Sequence, residues 1–466
     1  MWMNLKRRKM NRKLQICLVG LMLFAFAKAK SQQAPEPLLT KEQAVELMLQ
    51  NNFDIQISNN QLEVADNNQD ILNSGYLPSV TGSATASYSN SDSRTEFGST
   101  RDSLGILVAP RQPVVLNDQI SRRYDASIGA DYLLFDGLGR YYNYKILKEQ
   151  YNLSDLQVRE VIENTTVQLM TVYYDVARIT ENLSVFRQTL ENTRERERRA
   201  QYQFEYGQVN KLEVLNAQVD INTDSINVLN ARQNLENAKR DLNLVMNREI
   251  DDATFVVDTL VALRPELEIL SYLDEVDDNV RLMLARSNVQ ISEWDINTAK
   301  ALLLPRIGLS GSYGWNRAED PQSPFFPSRT STSDAVNLGA SLTWNIFDGG
   351  QGITGIRNAK LTAENEKLRL QQIEKQVTRD ISNARGTYQN ALAIYRLQQQ
   401  NLETNRNNFQ RSEEQYRLGQ ITSIVLRQAQ INLTNALTTR NLAKYDAKLA
   451  ELQLLQLAGD LMSQPL

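Results

Sequence analysis

Three carboxylate side chains, Glu213, Asp220 and Asp224, stand 7 and 4 residues apart in the sequence. In a helix with heptad spacing these positions fall on one face. If three chains met around an axis, this face would line a lumen with carboxylates, which attract cations and repel anions. The spacing makes the three acids candidates for the lining of such a lumen, but it does not show what their face contacts. The alternative is a solvated outer face, where most charged residues of helices lie.

The composition leaves little room for enzymatic chemistry, because the 466 residues include no histidine. This absence excludes His-based triads and removes the commonest metal ligand and the commonest general base. The only cysteine, Cys17, lies in an N-terminal apolar run, so we expect no disulfide or thiolate metal site in the mature chain. Carboxylates, lysines and tyrosines remain available, but we predict no enzyme, no cofactor and no metal. A net charge of -4 gives no electrostatic reason to expect nucleic acid.

The elements that would position the acids belong to a unit that occurs twice. Its motifs are Leu77-Pro78, Phe135-Asp136-Gly137 and Gly207-Gln208-Val209 in the first copy, and Leu304-Pro305, Phe347-Asp348-Gly349 and Gly419-Gln420-Ile421 in the second. The Phe-Asp-Gly glycine and the Gly-Gln glycine are equally far apart in both copies, from 137 to 207 and from 349 to 419. We therefore predict an internal duplication, with repeats at 38–250 and 251–462. Each repeat would contain a helix, two strands and a long helical hairpin.

Four stretches alternate apolar and polar residues, which predicts strands with one apolar and one wet face. They span 79–90, 123–135, 306–316 and 335–347, joined within each copy by polar loops at 91–121 and 317–333. Their length suits the roughly 9–11 residues that a tilted strand needs to cross a bilayer. Four strands of a soluble sandwich are the alternative. Before the first strand, a helix is predicted from Thr40, with Gln43 completing a capping box, to about Ser74.

The segments after each Phe-Asp-Gly motif have coiled-coil spacing. Apolar residues recur every three or four positions, for example at Leu169, Val172, Val176 and Ile179. About 68 residues precede the first Gly-Gln turn, which is roughly 100 Å of helix at 1.5 Å per residue. Such helices must project from any small domain. A filamentous coiled coil would also give this spacing, but it would not explain the strands or the duplication.

The N-terminus is typical of a secretory signal over residues 1–31. A basic start precedes the apolar run from Leu14 to Ala27, and Ala27-Lys28-Ala29 offers a cleavage site. No later segment has 18 uninterrupted apolar residues. If the mature chain enters a membrane, it must therefore do so through strands in a closed barrel.

From about residue 38 to 460, these motifs in this order resemble the TolC family of outer-membrane efflux proteins. The resemblance implies an α+β membrane protein that assembles as a homotrimer. Four strands per chain would form a shared twelve-stranded β-barrel in outer-membrane lipid of a Gram-negative bacterium. The helices would continue the barrel as a periplasmic tunnel. A passive exit duct is implied, supplied by an inner-membrane transporter, most readily of the RND type, through a periplasmic adaptor.

The resemblance also implies where the tunnel would close and dock. An acid near the first turn is carried over to Glu213, and the tyrosine that bonds it is Tyr416. Positions that hold aspartates in some members are Val425 and Gln428, and the position of a basic partner is Ile421, so any latch would be reduced. The expected adaptor-contacting tip consists of Gly207, Gln208, Val209, Gly419, Gln420 and Ile421. The charged run from Arg194 to Arg199 is expected on a solvated or adaptor-facing surface.

The sequence therefore predicts an outer-membrane exit duct, with a structural coiled-coil envelope protein as the alternative. No ATP-binding loop or redox motif is visible in the sequence, so transport energy would come from a partner. Drugs, metal ions and proteins are all candidate cargo.

Overall fold

The computed structural model describes residues 36–101, 103–110, 112–265, 268, 276–322 and 327–462. The predicted signal segment 1–31 lies outside them. The first half contains, in chain order, β1 (Leu38–Leu39), α1 (Lys41–Asn51), α2 (Phe53–Gln69), β2 (Ser79–Thr95), β3 (Thr100–Arg101), β4 (Leu107–Val108), β5 (Val114–Phe135), α3 (Gly139–Glu205) and α4 (Lys211–Met246). The second half contains β6 (Val256–Val257), α5 (Val280–Ala301), β7 (Arg306–Asp320), β8 (Arg329–Thr343), α6 (Gln351–Arg417) and α7 (Ser423–Ala458).

The four long strands form one antiparallel sheet in the order β2-β5-β7-β8. Each repeat contributes one hairpin, and β5 pairs with β7 to join the two hairpins. Strands β2 and β8 therefore lie at the two edges of the sheet. Edge strands present unpaired backbone groups, which are costly in lipid unless another chain pairs with them.

The register puts all four predicted apolar rows on the same face of the sheet. One row across the sheet runs Gly82, Ile128, Tyr313, Val336, and the next runs Val80, Ala130, Gly311, Leu338. On the opposite face the hydroxyl oxygens of Ser83 and Ser127 lie 2.9 Å apart. The predicted alternation is thus confirmed, because in-register neighbours of antiparallel strands share a face.

The strands are longer than predicted. Strand β5 begins at Val114 instead of residue 123, and β2 continues to Thr95, so the loop predicted at 91–121 shrinks to 96–113 and holds the β3–β4 hairpin. Likewise β7 extends to Asp320, and β8 spans 329–343 instead of 335–347. The predicted bounds followed the apolar alternation. Backbone pairing does not need apolar side chains, so the ladder continues into polar sequence.

The helix predicted from Thr40 to Ser74 is two helices, because Asn52 interrupts it. Asn52 Oδ1 accepts from the backbone N–H groups of Asp54 and Ile55, which starts α2. Its Nδ2 also donates to Val245 O at 2.9 Å. The capping box of Thr40 and Gln43 is confirmed. Asparagine is a strong N-cap residue, so it begins a new helix where the apolar pattern alone runs on.

The two long helical hairpins have the same dimensions. Helices α3 and α6 each contain 67 residues, and α4 and α7 each contain 36. Helix α6 is the counterpart of α3, and α7 is the counterpart of α4. The start of α6 follows the start of α3 (351 and 139) by as many residues as the start of α7 follows the start of α4 (423 and 211). We call this common distance the repeat step. Within the described part of the chain, none of the helices is long and apolar enough to cross a membrane.

The hydrophobic core lies where the hairpins meet α1 and the linker between the repeats. Buried side chains there include Met48, Leu169, Tyr173, Leu242 and Leu452. Side chains of all four long helices bond to the main chain of the linker. From the first hairpin, Tyr173 OH of α3 accepts from Asp258 N at 3.0 Å and Lys239 Nζ of α4 donates to Ala253 O at 2.8 Å. From the second hairpin, Tyr388 OH of α6 donates to Arg264 O at 2.9 Å and Lys448 Nζ of α7 donates to Ala262 O at 3.4 Å. The linker therefore joins the two repeats near the middle of the long helices α3 and α6.

The strand-to-helix junctions of the two copies offer a matched test of packing. Gly137 and Gly349 have φ of +70° and +71°, where a side chain costs about 1–2 kcal/mol. A Cβ on Gly137 would lie 2.6 Å from Ala301 O, whereas nothing lies within 4 Å of one on Gly349. We expect Gly349→Ala to lower the free energy of unfolding only by this conformational cost. Gly137→Ala should lower it by at least about 1 kcal/mol more, because its Cβ overlaps a neighbouring atom. Thermal unfolding midpoints measure both variants, and equal midpoints would contradict this packing.

Candidate functional site

The candidate site lies at the turns of the two helical hairpins, far from the sheet. Both turns are Schellman motifs: Gln208 N donates to Gln203 O and Gln420 N donates to Gln415 O. Gly207 and Gly419 each have φ +73°, the left-handed conformation that this motif requires. The six predicted tip residues are all exposed or half-exposed in the chain. The repeated Gly-Gln pair thus encodes two identical reversals of the chain.

Glu213 links the start of α4 to the start of α7. Asn210 caps α4 by accepting from Glu213 N, and Glu213 Oε2 accepts from Ser423 Oγ at 2.5 Å. Tyr416 is close enough that burial, and then the charge of Glu213, raise the pKa of its hydroxyl. Within the described residues, however, no hydrogen bond joins Tyr416 to Glu213. The bond implied for Tyr416 is therefore replaced by one from Ser423, whose hydroxyl occupies a carboxylate oxygen of Glu213.

Asp220 and Asp224 belong to a buried ion-pair network across three helices. Arg427 of α7 donates from Nη1 and Nη2 to Asp224 Oδ2 and Oδ1, each at 2.8 Å. Thr193 Oγ1 of α3 donates to Asp224 Oδ2 at 2.7 Å. Asp220 pairs with Arg196 of α3, and its Oδ1 lies 3.3 Å from Arg427 Nε. Two carboxylates thus meet two guanidinium groups, and the network joins the first hairpin to α7.

This burial corrects the prediction that all three acids line a lumen. Asp224 is only 4% exposed and Arg196 only 7% exposed. The heptad spacing correctly places the acids on a common side of α4, but at Asp220 and Asp224 that side packs against α3 and α7. The prediction that the whole run Arg194 to Arg199 lies on a solvated surface is wrong at Arg196 for the same reason. Arg194 and Arg198 are exposed and pair with Glu191.

The pKa values of the two arginines shift in opposite directions. Burial lowers the pKa of the Arg196 guanidinium. Burial also acts to lower the pKa of Arg427, but hydrogen bonds and charge from Asp224 outweigh it and raise that pKa. Arginine stays protonated in proteins, so both side chains keep their positive charge. The network is therefore a permanent set of charge-assisted hydrogen bonds near the tip.

The remaining predicted gate positions lie on the exposed side of α7. Val425 and Gln428 are both exposed in the chain. A cavity of about 220 Å³ lies beside the network, lined by Phe186, Thr223, Asp224, Arg427 and neighbouring residues. The described residues contain no group of three or more acids that would hold a metal ion. The arrangement can bind helices together and present carboxylate charge.

Comparison with known proteins decides the family. The model for outer membrane efflux proteins matches residues 44–248 and 276–460, one stretch in each half of the chain. The chain belongs to the outer membrane efflux protein family. This family consists of channels of the Gram-negative outer membrane whose helical part lies in the periplasm, and it is not a family of enzymes. The fold predicted from the sequence, barrel strands continued by a long helical tunnel, is confirmed.

The relatives of this efflux protein are distant in sequence. It is 22% identical to the alkaline protease secretion protein AprF of Pseudomonas aeruginosa, over 63% of this chain and 61% of that protein, less than two thirds of its length. It is 20% identical to the outer membrane efflux protein BepC of Brucella suis, over 89% of this chain and 84% of that one. Its fold resembles the CmeC outer membrane channel of Campylobacter jejuni, with TM-score 0.71, 18% identity and coverage of 90% and 86%.

Sequence reasoning missed three of the residues that bond to the acids of this efflux protein's candidate site. Arg427, Thr193 and Ser423 were not singled out, although all three bond to the predicted acids. A comparison of the repeats would have found the signal. The repeat step puts Leu215 at the position of Arg427, and Ala436 at that of Asp224. Opposite charges that occur in only one of two copies, at core positions of a heptad, indicate a buried pair between the copies.

Proposed function

We propose that this efflux protein is the outer-membrane exit duct of a tripartite efflux or secretion system. The observation that carries the proposal is the sheet, which has one apolar face, one polar face and two open edges. Four strands cannot close a barrel, but twelve strands from three copies can, and closure removes the edges. The apolar face then meets lipid and the polar face lines the pore. The long helices extend the pore into the periplasm.

We propose that the hairpin turns are the docking end for a periplasmic adaptor, which couples the duct to an inner-membrane transporter of the RND type. The tip residues Gly207, Gln208, Gly419 and Gln420 are exposed, and space around both glycines is open. Transport energy would come from the transporter. Names of relatives include both efflux and protease secretion, which supports small molecules and proteins alike as cargo.

We further propose that the contacts near the tip hold the tunnel in its narrow state. The Ser423–Glu213 bond and the Arg427–Asp224 pair both join α7 to the first hairpin. Widening of the tip requires the two hairpins to separate, so these bonds must break or rearrange. Such a gate has two states, and a change of one bond shifts their populations.

Ser423→Ala is expected to raise the ratio of open to closed pores by at least about tenfold. The variant removes a hydrogen bond to a charged group, which contributes about 1.5–3 kcal/mol. Tyr416→Phe should have a smaller effect, because the Tyr416 hydroxyl does not bond Glu213. Single-channel conductance in planar bilayers measures both. A larger effect of Tyr416→Phe than of Ser423→Ala would show that the tyrosine holds the acid in the assembled pore.

The proposed function is tested by purification from outer membranes followed by bilayer recording. A shared barrel should give an oligomer whose mobility on gels changes on heating, and it should conduct ions. A structural coiled-coil envelope protein would do neither. If the intact chain shows neither heat-dependent mobility nor ion conduction, the proposal is overturned. Cross-linking in cells followed by co-purification would identify the adaptor and the transporter.

A further inference from the structure

The first turns of α3 and α6, next to the sheet, carry positive charge that carboxylates do not pair with. No Asp or Glu occurs from 137 to 148 or from 349 to 363. These two stretches contain the cations Lys145, Lys148, Arg357 and Lys360. Among the residues that the structure describes, none of the four side chains forms a salt bridge. Two groups of unpaired cations therefore lie beside the sheet.

The two repeats share these charges. The repeat step puts Arg357 at the position of Lys145, and Lys360 at the position of Lys148. The residues around the cations differ between the repeats, because tyrosines of α3 have aliphatic or hydroxyl-bearing counterparts in α6. The positive charge itself is thus the feature that both helices have in common.

The two acids of the Phe-Asp-Gly motifs are engaged by their own junctions. Asp136 Oδ2 lies 3.2 Å from Arg140 Nε, and Asp348 accepts from the backbone N–H groups of Gly350 and Gly352. From 136 to 148 the chain has three cations and one acid, and from 348 to 363 it has two cations and one acid. Both junctions therefore keep a net positive charge.

The four cations lie on the outer side of the helical duct. Residues at intervals of seven share a face of a helix with heptad spacing. Four such intervals lead from Lys145 to Tyr173 on α3, and from Lys360 to Tyr388 on α6. The hydroxyl groups of both tyrosines bond to the linker between the repeats. The bore of a duct must stay open, so the face that carries the linker is the outer one.

The depth of these cations matches the headgroups of a bilayer. Exposed apolar side chains mark the end of the sheet next to the helices, at Leu138, Trp344, Ile346 and Phe347. Lys145 and Lys148 follow Leu138 by about 10–15 Å along the helix axis. Side chains of a helix point toward its N-terminus, which here is toward the sheet. Long lysine stems therefore bring the ammonium groups close to the edge of the apolar layer.

Aromatic rings hold the two lysines of α3. Lys145 Nζ lies 5.1 Å from the ring centre of Tyr141 and 5.7 Å from that of Trp294. Lys148 Nζ lies 4.7 Å from the ring centre of Tyr144. Tyr and Trp are enriched at the level of lipid headgroups. Attraction to a ring holds an ammonium group in place and leaves its N–H groups free to bond an anion.

We propose that this outer face of α3 and α6 binds the anionic headgroups of phospholipids in the periplasmic leaflet of the outer membrane. The inference rests on the proposed barrel, because the barrel sets the depth of the helices in the bilayer. The helical part lies in the periplasm, so this end of the sheet meets the periplasmic leaflet. Lys and Arg side chains at a membrane surface attract anionic lipids. Four cations per chain would give a trimer a positive belt of twelve.

Lipid retention by the purified oligomer tests the inference. The intact oligomer in detergent is given equal amounts of anionic phosphatidylglycerol and zwitterionic phosphatidylethanolamine, and native mass spectrometry counts the lipids that stay bound. We expect a preference for phosphatidylglycerol. Each cation near an anionic surface strengthens the attraction about fivefold. The neutral variant, with Gln at positions 145, 148, 357 and 360, should therefore lose at least about tenfold of the preference.

Three controls fix the meaning of that loss. Lys145→Arg combined with Lys148→Arg keeps the charge and should keep the preference. Lys375→Gln combined with Arg396→Gln removes two exposed cations of α6 further from the sheet, and it should also keep the preference. Inorganic phosphate at the concentration of the lipid should not displace phosphatidylglycerol. Displacement would show a site for free phosphate and would overturn the assignment to lipid.

The outcomes separate this inference from the proposed function. Equal retention of both lipids by the unsubstituted oligomer overturns the inference, and this arm needs no variant. An unchanged preference in the neutral variant also overturns it. If the neutral variant dissociates at a lower temperature by the same amount with either lipid, the cations pair with carboxylates of a neighbouring copy instead. A conducting oligomer without lipid preference overturns the inference alone, whereas absence of any oligomer overturns the shared barrel as well.

Discussion

Arg427→Met is expected to destabilise the helical tip by about 3–5 kcal/mol, because it leaves Asp224 buried without its countercharge. Asp224 is 4% exposed and accepts two hydrogen bonds from the guanidinium group of Arg427. Only the hydroxyl of Thr193 would remain as its partner. Since the pair joins α7 to the first hairpin, the loss should separate the hairpins. We expect a lower unfolding midpoint and a pore that leaks in planar bilayers.

Two further variants make this prediction specific. Asp224→Leu combined with Arg427→Met removes both charges, and buried pairs replaced in this way are often neutral in stability. The double variant should therefore recover much of the stability that Arg427→Met loses. Arg194→Met removes an exposed arginine of the same region, whose surface pair contributes at most about 1 kcal/mol. Equal losses from Arg194→Met and Arg427→Met would show that the buried network does not hold the tip.

Leu338→Arg is expected to block assembly of the barrel. Leu338 lies on the apolar face of β8, opposite Gly311, and is 85% exposed in the single chain. An arginine on the lipid face costs about 2–4 kcal/mol near the midplane, and the trimer would contain three. The measurement is the fraction of chain that reaches the heat-modifiable form in outer membranes. We expect Leu338→Arg to lower that fraction to a small part of the value for the unsubstituted protein.

Ser341→Arg is the matched control on the same strand. Ser341 pairs with Gly308 and lies on the polar face, three residues from Leu338. In a closed barrel its side chain would point into water, where an arginine is tolerated. The control should assemble and change only the conductance of the pore. If both variants failed equally, the assignment of the two faces would be wrong.

The fold could be predicted in detail because its periods are long and repeated. Alternation at Val80 to Tyr88 and heptads from Leu169 to Leu190 report directly on which face of a strand or helix is apolar. Equal spacing in two copies then fixed the order of elements. Strand ends escaped prediction, since pairs such as Ser93 with Leu116 depend on the partner strand and not on local pattern.

The candidate site was predicted less well, for a physical reason. Heptad spacing groups Glu213, Asp220 and Asp224 on one side of α4, but it does not say what that side faces. The answer depends on α7, which lies about 200 residues away in sequence and supplies both Arg427 and Ser423. The hydrogen bond that the family resemblance implies for Tyr416 stays a prediction, because among the described residues the hydroxyl of Ser423 reaches Glu213 instead.

The equal arms of the two hairpins have a mechanical consequence. Lys211 and Ser423 begin equivalent helices, and the Ser423–Glu213 bond puts those beginnings side by side. Three copies would therefore end in six turns at one height, a level rim. One extra residue in a single arm would lower its turn by about 1.5 Å and rotate every later side chain by about 100°. Length can then change only in both repeats at once and by whole heptads. The length of the duct can thus change only in fixed increments. A partner that binds at the six turns would contact a flat ring.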